Sequence, residues 1–333
     1  MKKTRARVYA GTKRNLAFLA RQLRAGELVA VPTETVYGLA ANALDPRACA
    51  RIFRAKGRPT QDPLIVHIHS FAQLELLCAP NSTALKVARK FWPGPLTLVL
   101  PKKQCVPAIV TAGRDSVALR MPGHRLFRQL LKLANVPLAA PSANPFGYIS
   151  PTSAEHVRLG LGSEVRYILD GGTSRIGVES TILDLREPRH PAILRPGAIT
   201  AAQLTRVIGR RVIRAKTNSS VQDASRGQIA PGLLARHYSP RTPVTLHSHL
   251  PSVTRARPAA SEAFVYIRRP KGRLAPNVFW FDGRGDLKGV ARRLFSLMRQ
   301  LDVMKFQRIH VQRAPDRGLG LAINDRLTRA AAR

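Results

Sequence analysis

The architecture of the chain can be worked out from the stretch Leu28-Val29-Ala30-Val31-Pro32-Thr33-Glu34-Thr35-Val36-Tyr37-Gly38-Leu39. Its first four residues form a short apolar run, which predicts a buried strand. The polar residues Thr33, Glu34 and Thr35 come next and predict a loop. Such a loop is often only a turn. Its length and the aromatic Tyr37 favour the wall of a pocket.

A cationic motif, Lys56-Gly57-Arg58, lies at the end of a helical pattern that begins at Pro46. A Lys-x-Arg pair at a helix end is usually solvated charge that the helix dipole favours. Here an apolar strand pattern follows at residues 64–68, just after the cationic turn. This context favours phosphate binding, because lysine supplies a point charge and arginine a planar fork that grips two oxygens.

Two hydroxyl-rich motifs follow further along the chain. Ser142-Ala143-Asn144 comes after the apolar strand pattern 138–140, and ligands of open α/β sheets bind at the carboxyl ends of strands. Serine and asparagine are also ordinary turn residues, so this motif alone leaves a turn and a binding site open. Ser150-Pro151-Thr152-Ser153 is expected to cap a helix that begins near Ala154.

Arg120 is a charge inside the apolar segment 117–121. A buried arginine needs an anionic partner. A protein carboxylate would serve, but the chain has only 19 acidic residues against 55 basic ones. We therefore expect the carboxylate or phosphate of a ligand beside Arg120.

The net charge of +36 over 333 residues favours a polyanionic partner, either a nucleotide or a nucleic acid. A general arginine bias of the source proteome is the alternative explanation. The three cysteines are far apart in sequence, which argues against a zinc site and a disulfide framework. No P-loop motif occurs, and no apolar run approaches the roughly 18 residues of a membrane span. The sequence therefore predicts a cytoplasmic protein without a membrane segment.

Strands that alternate with helices predict an α/β fold, and neighbouring strands without an intervening helix predict a mixed sheet. Polar residues 215–230 have the composition of a linker. The second unit shows strand patterns and a helix over 287–301, and helices are also predicted over 12–25, 46–56, 71–77 and 82–91. We predict a twisted mixed-sheet N-terminal domain over residues 1–214, a linker over 215–241 and a small Rossmann-like C-terminal domain over 242–333.

These motifs together resemble those of the YrdC-like family, the L-threonylcarbamoyladenylate synthases. Residues 230–240, APGLLARHYSP, resemble the linker signature of the long two-domain branch, and residues 318–327, GLGLAINDRL, resemble the end of its C-terminal domain. Asp325 departs from that pattern, because a neutral polar residue is common there. In this branch the linker folds over the pocket, so the resemblance implies that residues 215–241 close over the site.

The resemblance implies an enzyme that condenses L-threonine, bicarbonate and ATP to threonylcarbamoyl-AMP and pyrophosphate. The product serves the modification of tRNA to threonylcarbamoyladenosine, so a threonylcarbamoyl-transferase complex is the implied partner. Mg²⁺ is implied as the cation that accompanies ATP. Direct tRNA binding is a further expectation, since the excess of basic residues attracts RNA in a salt-dependent way.

The resemblance also implies roles for single residues. Lys56 and Arg58 would be catalytic, because they would stabilise charge on the phosphoryl oxygens. The side chains that would hold L-threonine are Thr33, His67, Arg120 and Ser180. The side chains that would hold ATP are Lys56, Arg58, Ser142, Asn144, Ser150, Arg195 and Tyr238. No metal ligand from the protein is implied.

Three other functions compete with this one. A non-catalytic protein that binds double-stranded RNA or tRNA would suit the net charge, but it would not need the polar pocket motifs. A carbamoyltransferase of the hydrogenase-maturation type carries a similar module together with zinc-finger modules, and three cysteines are too few for those. A purely structural α/β protein would leave the buried cations unexplained.

Overall fold

The computed structural model describes residues 6–215, 227–251 and 260–332. Residues 216–226, in the first half of the predicted linker, lie outside the described residues. None of the helices in the described part of the chain is long and apolar enough to cross a membrane.

The N-terminal unit alternates strands with helices, as predicted. Within the described residues its elements are, in chain order, β1 (Arg7–Tyr9), α1 (Lys13–Arg24), β2 (Val29–Val31), β3 (Gly38–Asn42), α2 (Pro46–Lys56), β4 (Ile65–His67), α3 (Phe71–Leu77), α4 (Ser82–Phe91), β5 (Leu96–Pro101), α5 (Ala108–Thr111), β6 (Ser116–Arg120), α6 (Arg125–Ala134), β7 (Leu138–Ala139), α7 (Ala154–Leu161), β8 (Tyr167–Leu169), β9 (Thr181–Asp184), β10 (Ala192–Arg195), α8 (Ala201–Ile208) and β11 (Ile213–Arg214).

One mixed sheet runs through this unit in the strand order β1-β8-β2-β3-β7-β4-β6-β5-β9-β10-β11. Strands β4 and β6 are parallel, whereas β7 runs antiparallel to β4 and β5 runs antiparallel to β6. The predicted mixed sheet is thus confirmed. The register pairs His67 with Arg120 at the carboxyl ends of β4 and β6. Two residues predicted to hold one ligand therefore lie side by side.

Local chemistry sets the bounds of α2. The side chain of Asp45 accepts a hydrogen bond from the backbone N–H of Arg47, and Pro46 takes the first position, where the missing N–H costs nothing. The helix ends at Lys56, and Gly57 follows in the left-handed conformation with φ of 61°. The chain therefore leaves the helix on a tight turn between Lys56 and Arg58.

Apolar side chains cover both faces of the sheet. Ala30 belongs to a core cluster that also contains side chains of α2, α3 and α4. Its neighbours Val29 and Val31 belong to a second cluster, together with Leu19 of α1 and Phe127 of α6. Successive residues of a strand point to opposite faces. A strand covered on both faces reads as a continuous apolar run, which is why β2 could be recognised in the sequence.

A smaller unit follows, and its sheet is separate from the first. Its strands form a wholly parallel sheet in the order β12-β15-β13-β14. This is the Rossmann-like arrangement that the sequence predicts. The elements are β12 (Val244–His247), β13 (Glu262–Arg268), β14 (Val278–Asp282), α9 (Leu287–Val303), β15 (Arg308–Gln312) and α10 (Gly320–Ala331).

The two units share one hydrophobic cluster. Val36, Ile149 and Val178 of the N-terminal unit belong to the same buried cluster as Phe295 of α9. Tyr238, which lies between the units in sequence, belongs to it as well. The core of the C-terminal unit therefore extends up to the segments that carry the predicted site.

The structure departs from the sequence prediction just after β2. No strand is predicted at residues 38–42, yet Gly38–Asn42 forms β3 and pairs antiparallel with β2. These residues, GLAAN, include no β-branched or aromatic side chain, so the usual signal of a strand is missing. The loop that follows β2 lines the cavity described below through Thr33, Thr35 and Val36, but Tyr37 does not take part in that wall. Its buried hydroxyl donates to the carbonyl oxygen of Gly172 at 2.7 Å, away from the cavity described below.

Candidate active site

A small cavity lies beside the carboxyl ends of β4 and β6. It is covered by residues 227–241, which we call the strap. The volume of the cavity is about 50 Å³. Lys56, Asn144 and Ser150 do not line it. Most of the predicted site residues do, namely Thr33, Arg58, His67, Arg120, Ser142, Ser180, Arg195 and Tyr238.

Lys56 is buried next to the Ser142 motif. Its ammonium donates to the carbonyl oxygen of Ser142 at 2.6 Å and to that of Asn144. Burial, and then the charge of Arg58, hold the pKa of Lys56 well below its usual value, although Asp62 opposes them. No carboxylate of the described residues forms an ion pair with Lys56. A bound anion would therefore stabilise its charged form.

Arg58 lines the cavity and is tied to the loop before β4. Its Nε donates to the carbonyl oxygen of Asp62 at 3.0 Å, and its Nη2 donates to that of Pro63 at 2.7 Å. Nη2 also lies 3.0 Å from the carboxylate of Asp62. Burial lowers the pKa of Arg58, whereas the Asp62 charge raises it. Of the two cations in the motif, Arg58 is neutralised by the protein and Lys56 is not.

The side chain of Asn144 shapes the loop that holds Lys56. Its amide nitrogen donates to the carbonyl oxygens of Pro145 and Tyr148, both at 2.8 Å. Its buried Oδ1 has no hydrogen-bond partner among the described residues. Asn144 thus fixes the two carbonyl groups of its own motif against the Lys56 ammonium, while Ser142 lines the cavity.

Arg120 lines the cavity and donates hydrogen bonds to three acceptors, of which Thr35 also lines it. Its Nε donates to the carbonyl oxygen of Gly94 at 3.2 Å, its Nη1 to the hydroxyl of Thr35 at 3.1 Å and its Nη2 to Glu34 at 2.7 Å. The Thr33 hydroxyl orders the same loop by accepting the backbone N–H of Thr35 at 3.0 Å. Of the two partners considered for Arg120, the structure shows the protein carboxylate, Glu34, and the binding of a ligand anion beside it stays a prediction.

The ion pair with Arg120 also decides two charge states. Burial raises the pKa of Glu34, but the charge and hydrogen bond of Arg120 outweigh burial and hold that pKa below its usual value. Burial, and then the charge of Arg120, lower the pKa of His67 to about 3. His67 is therefore neutral at physiological pH. Its Nδ1 has no hydrogen-bond partner among the described residues, so it can bond to a ligand without adding charge.

Arg195 connects the start of β9 to the strap. Its Nη2 donates to the carbonyl oxygen of Ser180 at 3.1 Å and to its hydroxyl at 3.2 Å, and its Nη1 donates to the carbonyl oxygen of Pro231 at 3.3 Å. The Ser180 hydroxyl lies 2.8 Å from that of Thr97. Burial lowers the pKa of Arg195. Arg195 is thus a second buried cation that forms no ion pair with a carboxylate in the described part of the chain.

Ser150 lies behind the wall rather than in it. Its hydroxyl donates to Glu179 at 2.6 Å, and Glu179 itself lines the cavity. The other oxygen of Glu179 accepts a hydrogen bond from Arg326 of α10 at 2.7 Å. Neither Glu179 nor Arg326 is predicted as a site residue. Because 147 residues separate them, no local sequence pattern could have joined them.

The strap contributes Pro231, Gly232, His237 and Tyr238 to the cavity wall. The ring of Tyr238 stacks on Phe295 with 5.6 Å between centroids. Its buried hydroxyl has no hydrogen-bond partner among the described residues. Gly232 has φ of 77°, and a Cβ atom there would lie 2.7 Å from the Tyr238 hydroxyl. Gly232 and His237 were not predicted as site residues. The sequence signal that could have identified them is the linker motif at residues 230–240, in which both lie.

The groups that meet at the cavity have a clear chemical character. They combine buried cations, hydroxyls and a neutral imidazole, under a strap that lies at the junction of two domains. Cations and hydrogen-bond donors in a site that excludes water stabilise charge on phosphoryl oxygens. No cluster of three or more His, Cys, Asp or Glu side chains suited to a metal ion occurs in the described ranges. Fold and site together define a two-domain α/β protein with a cationic cavity beneath a strap, and the chemistry of that cavity suits a phosphate-bearing ligand.

Comparison with known proteins agrees with this class. A family model described as telomere recombination matches residues 21–197, and one described as the C-terminal domain of threonylcarbamoyl-AMP synthase matches residues 199–332. The threonylcarbamoyl-AMP synthase of Pyrococcus abyssi is 44% identical over 319 residues, which cover 93% of this chain and 92% of the relative. That of Bacillus subtilis is 40% identical over 325 residues, or 95% and 92%. The chain belongs to the threonylcarbamoyl-AMP synthase family.

A solved structure supports the same assignment. The crystal structure of P. abyssi Sua5 complexed with L-threonine matches with a TM-score of 0.89 at 39% identity, and the match covers 98% of both chains. Both the mixed-sheet domain and the smaller parallel-sheet domain therefore have counterparts in that protein. The family recognised from the sequence motifs is confirmed.

Proposed function

We propose that this protein condenses L-threonine, bicarbonate and ATP to threonylcarbamoyl-AMP and pyrophosphate in the cavity under the strap. Membership of the family supports the activity. One observation supports the site. Lys56 is buried against the motif whose Ser142 lines the cavity, Arg195 lines the cavity itself, and among the described residues both donate hydrogen bonds only to uncharged oxygens.

Burial of a cation without a carboxylate partner is unfavourable. ATP would offset that cost for both side chains, because its phosphates bring several negative charges to one place. Arg58 adds a planar guanidinium at the same wall. A polyphosphate therefore matches the unbalanced charge of this site better than an uncharged ligand does.

L-threonine would lie beside Arg120 and His67. A guanidinium has more N–H donors than the contacts to Gly94, Thr35 and Glu34 use, so Arg120 retains donors for the threonine carboxylate. The neutral ring of His67 and the hydroxyl of Ser180 would contact the polar groups of the amino acid. Glu34 would keep Arg120 in place rather than compete for the ligand.

The chemistry needs positioning and charge stabilisation but no protein nucleophile. The amine of threonine and bicarbonate combine to a carbamate with loss of water. A carbamate oxygen then attacks the α-phosphorus of ATP, a phosphorus–oxygen bond forms, and pyrophosphate leaves with the electron pair of the broken bond. Lys56 and Arg58 would stabilise the negative charge that builds up on the phosphoryl oxygens.

Mg²⁺ would come to the site with ATP. Magnesium usually keeps several waters and binds substrate phosphates rather than a cage of protein ligands. It would supply further positive charge at the phosphates, and the side chains of this chain would orient the complex.

The strap would open to admit substrates and close for reaction. In the described structure the strap covers the cavity, because Pro231, Gly232, His237 and Tyr238 form part of the cavity wall. Closure would keep water from the labile product.

The product would pass to a threonylcarbamoyl-transferase complex that modifies tRNA, and we place this reaction in the cytoplasm. The net charge of +36 supports direct encounters with tRNA. Such binding would weaken steeply with salt, because it would depend on the release of counterions from the RNA backbone.

The test is pyrophosphate release from ATP with threonine and bicarbonate each added or omitted. We expect release that requires both, and a large loss in Lys56→Ala and in Arg58→Ala. The matched controls Lys86→Ala and Arg89→Ala, which alter exposed side chains of α4, should keep the wild-type rate. Folded protein without threonine-dependent release, but with tight salt-sensitive tRNA binding, would support the non-catalytic RNA-binding function instead.

A further inference from the structure

Arg326 brings a charge from the C-terminal domain up to residues that line the cavity. It lies on α10, and its side chain is completely buried. Its Nε donates to Glu179 at 2.7 Å and its Nη2 donates to the carbonyl oxygen of Pro196 at 3.0 Å, both in the N-terminal domain. Its Nη1 donates to the neighbouring Asp325 at 2.7 Å. One guanidinium thus joins the two domains by two directed contacts, while its third contact stays within α10.

The groups that Arg326 contacts are parts of the site. Glu179 lines the cavity, and its other oxygen accepts the Ser150 hydroxyl at 2.6 Å. The guanidinium carbon of Arg326 also lies 5.2 Å from the centre of the Tyr238 ring. Tyr238 lines the cavity from the strap. A single side chain therefore contacts both the wall built by the N-terminal domain and the wall built by the strap.

The ion pair of Arg326 with its neighbour Asp325 does not by itself explain why the guanidinium also contacts Glu179. Asp325 is shared among three arginines, since it also lies 2.7 Å from Arg214 and 3.3 Å from Arg329. Glu179 makes an ion pair only with Arg326 in the described part of the chain. Both partners are buried, so each needs the other to offset the loss of hydration. The ion pair with Arg326 therefore fixes the position of the Glu179 carboxylate.

We propose that Arg326 is a positioning residue for the synthase reaction. It fixes the Glu179 carboxylate, and through it Ser150, and it holds the Tyr238 ring against the cavity. The C-terminal domain thereby completes the geometry of the site without supplying a group that touches the reacting atoms. This inference rests on the proposed function.

Arg326→Lys tests the proposal because it keeps the charge but loses the planar fork. A lysine cannot reach Glu179, Asp325 and the Pro196 carbonyl together. We expect kcat for pyrophosphate release to fall about tenfold or more, with smaller changes in the KM of ATP and threonine. Glu179→Gln approaches the same contact from the other side and should give a similar loss. The double variant should lose little more than either single one, because the two residues act as a unit.

Arg214→Lys is the matched control. Arg214 makes an ion pair with the same Asp325, but it is half-exposed and does not line the cavity. Urea unfolding of each variant gives its stability, and rates are normalised to folded protein. A wild-type rate in folded Arg326→Lys and Glu179→Gln, equal to that of the control, would overturn the positioning role. A wild-type protein without threonine-dependent release would instead overturn the proposed function on which this inference rests.

Discussion

Gly232→Ala should make closure of the strap over the cavity less favourable and so reduce activity. Gly232 has φ of 77°, a conformation that side chains other than glycine rarely adopt. A Cβ atom at this position would lie 2.7 Å from the Tyr238 hydroxyl and 3.0 Å from Nη1 of Arg195. Neither neighbour can move easily, because the Tyr238 ring stacks on Phe295 and Arg195 is held by Ser180. The added methyl group therefore opposes closure of the strap in particular.

The expected size follows from two contributions. A left-handed alanine costs about 1–2 kcal/mol, and a methyl group forced into a packed site costs about 1–3 kcal/mol. Closure should therefore become less favourable by roughly 2–5 kcal/mol. Since about 1.4 kcal/mol corresponds to a factor of ten, kcat/KM for pyrophosphate release should fall between about 30-fold and a few thousand-fold, if reaction requires the closed strap.

Gly209→Ala is the matched control for this prediction. Gly209 ends α8 with φ of 80°, but a Cβ atom there would have no neighbour within 4 Å. In urea unfolding, Gly209→Ala should lower the free energy of unfolding by the same cost of a left-handed alanine. The variant should keep full activity. Steady-state pyrophosphate release and unfolding midpoints are measured for both variants. The reasoning about the strap fails if Gly232→Ala keeps the wild-type kcat/KM, or if both variants lose activity equally.

Three further predictions concern charge. ATP should bind more weakly as pH rises, because the pKa of Lys56 is held well below its usual value and phosphate stabilises the charged form; calorimetry at a series of pH values measures the affinity, and a pH dependence that is the same in Lys56→Met would contradict it. Stability should fall as pH drops below about 6.5, because the unfolded state protonates His67 there whereas its folded pKa is about 3; the fall of the urea midpoint between pH 7 and 5 should be smaller in His67→Gln but still present, since burial also lowers the pKa of His156 and of His237, and an unchanged slope would contradict the contribution of His67. Glu34→Ala should destabilise the fold by about 3–5 kcal/mol, because it leaves Arg120 buried and unpaired; urea unfolding should show almost no change for Glu155→Ala, whose ion pair is exposed, and equal losses in the two variants would count against the reasoning.

Local signals explain why so much of the N-terminal fold could be predicted from sequence. The helices α2, α3 and α4 have the predicted bounds. In α2 the capping aspartate, the proline at the first position and the glycine after the last turn all mark its ends. β3 was missed because its residues carry no strand pattern, although the neighbouring strands fix it in the sheet. The boundaries of the predicted linker stay a prediction, since residues 216–226 lie outside the described residues.

The site was predictable only where its residues follow strands in short motifs. Arg120 was recognised as a buried cation, but its partner was not, because Glu34 lies 86 residues away. A count of acidic residues along the chain says nothing about which of them the fold brings close. Glu179 and Arg326 were not predicted as site residues for the same reason, because 147 residues separate them. The roles of single residues toward ATP and threonine stay predictions that the variants above would test.

The reach of α10 into the N-terminal domain has a consequence for the order of folding. Arg326 lies 147 residues beyond Glu179, and Arg299 of α9 bonds to the backbone of Ile149 across 150 residues. Contacts that close such long loops form late, because the entropy of closing the loop opposes them until other contacts are made. Domains emerging from the ribosome generally fold in order from the N-terminus. A nascent chain whose mixed sheet has already folded would therefore still lack the contacts that fix Glu179 in the cavity wall. We expect the chain to bind nucleotide productively only after α10 has docked on the N-terminal domain.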